Sequence, residues 1–112
     1  MPCPQLIHVL GIKIPIIISA DRPDVWGEWD GAKGTILLNV DADEDKLRIT
    51  FLHELLHCID DLLGINLKHS AVYTLSQVLW AVMKENPELA DWIIDALKAQ
   101  RKNHDSDMLL ES

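Results

Sequence analysis

The hydrophobic pattern of this chain changes period partway along. Residues 5–10 and 12–19 are rich in Ile and Val, with Gly11 between them, a β-branched composition with glycine punctuation that predicts strands. Pro15 cannot donate a ladder hydrogen bond, so its strand is expected at a sheet edge. Asp21-Arg22-Pro23-Asp24 forms a turn. Val25–Trp29 and Thr35–Val40 then flank Asp30-Gly31-Ala32-Lys33-Gly34 as the arms of a β-hairpin.

From the acidic run Asp41–Asp45 onward the period is helical. Asp43 or Asp41 can cap, and the carboxylates suit the positive end of a helix dipole. Read as a calcium loop, the run lacks the required spacing, Gly and terminal Glu. The helix is expected to continue to about Leu63 and stop at Gly64. Leu52, Leu55, Leu56, Ile59, Leu62 and Leu63 cover most of its circumference, which predicts a central buried helix. A second helix over about 69–84 presents Val72, Leu75, Leu79, Val82 and Met83 as a core face. Asn86-Pro87-Glu88 restarts a third, with Asn as cap and Pro at the first position. Its apolar face is Leu89, Trp92, Ile93, Ala96 and Leu97, ending at about Lys102. Strands followed by helices predict an α+β fold: a small, mostly antiparallel sheet of about four strands followed by three helices. Residues 103–112 are expected to be a polar tail, which makes His104 a poor ligand candidate.

The first helix carries His53-Glu54-Leu55-Leu56-His57, that is His-Glu-x-x-His, in an apolar run free of Pro and Gly. Residues four apart share a helix face, so both imidazoles can address one metal ion. Glu54 lies off that axis, where it can reach a water instead. This is the zinc metallopeptidase arrangement. The simpler alternative is a buried helix with two incidental histidines, but buried imidazoles and a carboxylate need partners. Cys58 points about 100° away from His57, which suits core packing. Asp61, four residues after His57, is either a group orienting a ligand imidazole or nearby backbone, or a solvated helix-end carboxylate. Its charge opposes the helix dipole, which favours a reason for it.

His69 lies twelve positions after His57, enough for a turn and a return, so an antiparallel second helix would bring His69 back as the third ligand. Otherwise it is a capping or exposed histidine. Three ligands and an open position make a catalytic site; a closed shell, completed by Asp61 or Cys58, would make a structural one. In the catalytic case Glu54 is the general base, and Tyr73, one turn from His69, either donates to the oxyanion or simply packs. Trp26 and Trp29 pack, or their hairpin edges a cleft where a peptide adds as a strand. The competing possibility is a zinc-stapled module that binds without cutting.

Composition narrows the partners. The chain has 112 residues and a formal charge of −8, which disfavours nucleic acid and anionic membrane surfaces. Cys3 and Cys58 do not form a disulfide framework, and a reducing compartment fits. The apolar run Ile14–Ala20 is interrupted by Pro15 and preceded by Pro2, Pro4 and Lys13, unlike a signal peptide. A cytoplasmic location is expected.

With His53, Glu54, His57 and His69-Ser70-x-x-Tyr73, the chain resembles small intracellular zincin metallopeptidases. In SprT-like and related minimal families a third His opens the next helix, followed by a small residue and, four positions on, an aromatic. Thr50, His53, Glu54, Leu55 and His57, followed by Asn86-Pro87-Glu88-Leu89, also look like short phage-encoded metallopeptidases in the neighbourhood of the ImmA/IrrE type. The resemblance covers roughly residues 25–95. It implies a single zincin-like domain over 1–102, Zn2+ on His53, His57 and His69, catalysis by Glu54 with Tyr73 assisting, and a protein or peptide substrate. The chain departs from both families: it has neither the DNA-binding extensions of larger SprT-like proteins nor the downstream Glu pattern of the ImmA/IrrE type. Neither substrate class therefore carries over.

Overall fold

The computed structural model describes residues 2–107, with side chains through Gln100. Four strands precede three helices: β1 Leu6–Val9, β2 Ile12–Ser19, β3 Gly27–Asp30, β4 Thr35–Asn39, α1 Glu44–Leu63, α2 His69–Glu85 and α3 Pro87–Asp107. The sheet has the order β1-β2-β4-β3, and the fold is α+β. The chain divides into two compact units between Trp80 and Ala81, inside α2.

β1 and β2 form an antiparallel hairpin joined by Leu10 and Gly11. Both residues have positive φ, 52° and 83°, the backbone that a two-residue hairpin needs to match strand twist. β3 and β4 are also antiparallel, with Gly27 opposite Leu38 and Trp29 opposite Ile36. Asp30 shapes their loop by accepting from the amides of Ala32 and Lys33 at 3.0 and 3.1 Å. β2 and β4 run parallel, so the sheet is mixed, with antiparallel pairs on either side.

Pro15 is not on an edge strand, because β2 lies inside the sheet. β2 changes neighbours at this residue. Pro15 is the last residue registered on β1, opposite Leu6, and Ile16 is the first registered on β4, opposite Ile36. The Ile16 amide donates to Gln5 O on the β1 side. Alternation then turns the Pro15 nitrogen toward β4 before that ladder has begun, so no bond is lost.

α1 begins where Asp43 accepts the Lys46 amide at 2.8 Å. It ends at Gly64, whose φ of 63° is the left-handed closure that glycine permits. It is not buried all round. Its covered stripe includes Leu47, Phe51, Leu55, Cys58 and Ile59, packed on Ile14, Ile16, Ile36 and Leu38 of the sheet, while Leu62 and Leu63 are exposed. One sheet face can cover only one side of a helix, so the surplus leucines stay outside. The expected core face of α2 is likewise only partly covered: Val72 and Ser76 are fully buried, while Leu75, Leu79, Val82 and Met83 are exposed. Through Gln100 no residue of α3 is fully buried, and Leu89, Trp92, Ile93 and Leu97 of its predicted apolar face are exposed. α3 continues past Lys102 to Asp107, since no Gly or Pro interrupts it. The rest of the expected tail, 108–112, lies outside the described residues. Among the described residues, no helix is long and apolar enough to cross a membrane.

Candidate metal centre

The structure brings together the three histidines named from sequence. His53 and His57 are four residues apart on α1, and their Nε2 atoms lie 3.1 Å apart. His69 is the first residue of α2. Its ring centroid is 5.0 Å from that of His53 and 5.2 Å from that of His57. One nitrogen from each ring can be chosen so that all lie within 4.8 Å of one another. Around a tetrahedral zinc with Zn–N of about 2.0–2.1 Å, ligand nitrogens sit about 3.4 Å apart. The cluster is near that scale and could hold a metal ion. Among the described residues no fourth His, Cys, Asp or Glu joins it.

The surroundings keep the two α1 imidazoles unprotonated. The His53 imidazole is pushed down to about 4, first by burial and then by the neighbouring His57 and His69. His57 is lowered by burial and by His69, against a raising pull from Asp60. Both rings therefore stay neutral at pH 7, as metal ligands must. Imidazole ligands suit zinc, as well as copper, iron and nickel.

Glu54 is 7 % exposed. Burial raises its carboxyl above the ordinary range, the Trp29 amide opposes that shift, and Glu28 adds to it. Its Oε1 accepts the Trp29 backbone N–H at 2.9 Å. Glu54 lines the same pocket as the three histidines, a space of about 440 Å3 that also touches Gly27, Glu28, Trp29, Asp60 and Asp61. Tyr73 lies edge-on to His53, with centroids 6.5 Å apart, but it is exposed rather than packed and is not part of the pocket wall. Cys58 is fully buried in the sheet-facing core, as its direction on the helix requires.

Sequence alone did not show what holds the hairpin to α1. Trp29 does so twice. Its amide reaches Glu54, and its indole N–H donates to Asp61 Oδ2 at 3.0 Å. Asp61 therefore orients a neighbouring side chain rather than an imidazole. Two glycines allow the close approach. A Cβ at Gly27 would lie 2.5 Å from Thr50 Cγ2, and one at Gly31 would lie 2.7 Å from Asp61 Oδ2. The available signal was an indole N–H in need of an acceptor, together with two carboxylates at the wrong end of a helix dipole. No family model, curated protein or solved structure matches this chain.

Proposed function

We propose that this chain is a zinc-dependent metallopeptidase of the zincin kind, acting on a protein or peptide. The observation that carries the proposal is Glu54: a buried carboxylate, one residue from a ligand, on the wall of the pocket that three imidazoles share. His53, His57 and His69 would hold the ion. Bound there, zinc supplies Lewis acidity toward a peptide carbonyl and lowers the pKa of water toward neutrality. Glu54 is the general base. The Trp29 amide engages Oε1, and Oε2 takes the proton of the attacking water and passes it to the leaving amine. Burial suits Glu54 to this work by raising its basicity. Tyr73, open to solvent beside His53, donates to the oxyanion. β3 is an edge strand bordering the pocket, and its outer edge, apart from the Trp29 amide that Glu54 holds, receives the substrate backbone.

A zinc-stapled binding module is the second possibility, and one observation favours it: Glu54 already has structural work, tying β3 to α1 through the Trp29 amide. Glu54→Gln separates the two, because the amide oxygen can still accept that bond. Zinc content and cleavage of a mixed peptide library are measured for both proteins. The peptidase predicts equal zinc and a loss of cleavage of about 10²–10⁴-fold. Equal cleavage by parent and variant removes Glu54 as the base. No cleavage by a zinc-loaded parent leaves the binding module.

A further inference from the structure

The third ligand depends on a short connection. His53 and His57 are fixed to each other by one helix, but His69 opens another, and only residues 64–68 link them. That link contains two left-handed residues, Gly64 at φ 63° and Asn66 at φ 60°. The second is asparagine, one of the few residues besides glycine that adopt this region readily, so the turn is locally permitted but its direction is not fixed by glycine alone. The start of α2 does little to hold it. Lys68 offers its carbonyl to Ala71 and Val72, but its side chain has no acceptor with which to cap the helix.

Asp60 supplies the missing anchor. Its main-chain carbonyl accepts the Gly64 amide at 2.7 Å, closing α1. Its side-chain Oδ1 accepts the Leu67 amide at 3.0 Å, in a part-buried bond. One residue thus grips the connection at its first position and again two residues before His69. Asp60 also lines the histidine pocket, yet it is not among the clustered ligand atoms. A carboxylate in the last turn of a helix opposes the dipole, and the Leu67 bond offsets that penalty.

We propose that Asp60 is a positioning residue for His69. By accepting the Leu67 N–H, it sets the path of the 64–68 connection and so the approach of the third imidazole to the pair on α1. This rests on the three histidines being the metal ligands, but it does not depend on hydrolysis.

The test measures zinc affinity in the full chain by competition with a chelating dye, together with exchange of the Leu67 amide. Outer partners of metal ligands are typically worth about 10–100-fold in affinity. Asp60→Ala should lose an amount in that range and lose Leu67 protection. Asp60→Asn, which keeps an acceptor and drops the charge, should stay within a few-fold of the parent. In a His69→Ala background, Asp60→Ala should add no further loss, because its effect passes through His69. Should Asp60→Ala not fold, Asp60→Gln, which moves the acceptor by one methylene, takes its place with the same expectation. The proposal is overturned if Asp60→Ala binds zinc like the parent. It is also overturned if Asn is as damaging as Ala, which would mean that Asp60 acts by its charge on His57. Fully additive losses with His69→Ala would overturn it too. A parent that binds no zinc defeats the metal site itself, and a zinc-binding parent with indifferent variants defeats only the role of Asp60.

Discussion

α1 and α3 are helices of nearly equal length, 20 and 21 residues, yet they end differently. α1 puts small or polar groups at its most buried positions, Thr50, Glu54 and Cys58. α3 carries Leu89, Trp92, Ile93 and Leu97, and all four are exposed, Trp92 by 70 %. Apolar content therefore does not decide burial here. α1 has a sheet whose β3–β4 hairpin approaches it at Gly27 and Gly31. α3 offers a richer stripe whose large side chains are exposed. An amphipathic pattern says that a helix can be covered, but not by what.

The largest test of this contrast lies in the covered half. Leu38 is fully buried between sheet and helix. Leu38→Ala should lower unfolding free energy by about 2–5 kcal/mol in a denaturant titration; a loss of a few tenths would mean that α1 and the sheet do not form the core. A smaller effect, from overpacking, is expected at Gly27. Gly27→Ala places a methyl against Thr50 Cγ2 and 3.1 Å from Leu37 O, and should cost about 1–3 kcal/mol. Adding Thr50→Ser removes the closest atom and should recover part of that loss.

Acid probes the same half. In metal-free protein the unfolded chain protonates His53 near its ordinary value of 6.5, while the folded chain resists until about pH 4. The unfolded state thus binds more protons within that window, and stability falls as pH drops from 6.5 to 4. Lowered His57 acts in the same direction, and raised Glu54 acts against both. Thermal melts of parent and His53→Asn across this range should therefore converge toward acid, with the parent losing more. The smallest effect belongs to the open half. Trp92→Ser should leave stability within about 0.5 kcal/mol of the parent, and a larger loss would show that α3 is covered in solution.

Much of the fold was legible because punctuation is local. Asp43, Gly64 and Pro87 mark helix ends through their own backbone chemistry, and Gly11 and Gly34 mark hairpins. The pair His53 and His57 was legible for the same reason, since spacing on one helix fixes relative direction. His69 required the second helix to return, which the Gly64–Lys68 length allowed. Pro15 misled because an edge can be a single residue at which a strand changes neighbours. The all-round leucines of α1 misled because periodicity gives the width of an apolar face without the number of surfaces available to cover it. Trp29, Asp60 and Asp61 stayed hidden because their bonds span loops whose course no pattern encodes.

The three imidazoles fall within a stretch of 17 residues, 53 through 69 counted inclusively. Sites assembled from distant segments must wait for the whole chain to collapse, whereas contacts of short sequence separation form early. A cation gripped by α1 and α2 can therefore be captured while β1 and β2 are still unpaired. A metal ion held by these three rings would then contribute to how fast this molecule reaches its native state, as well as to how long it stays there.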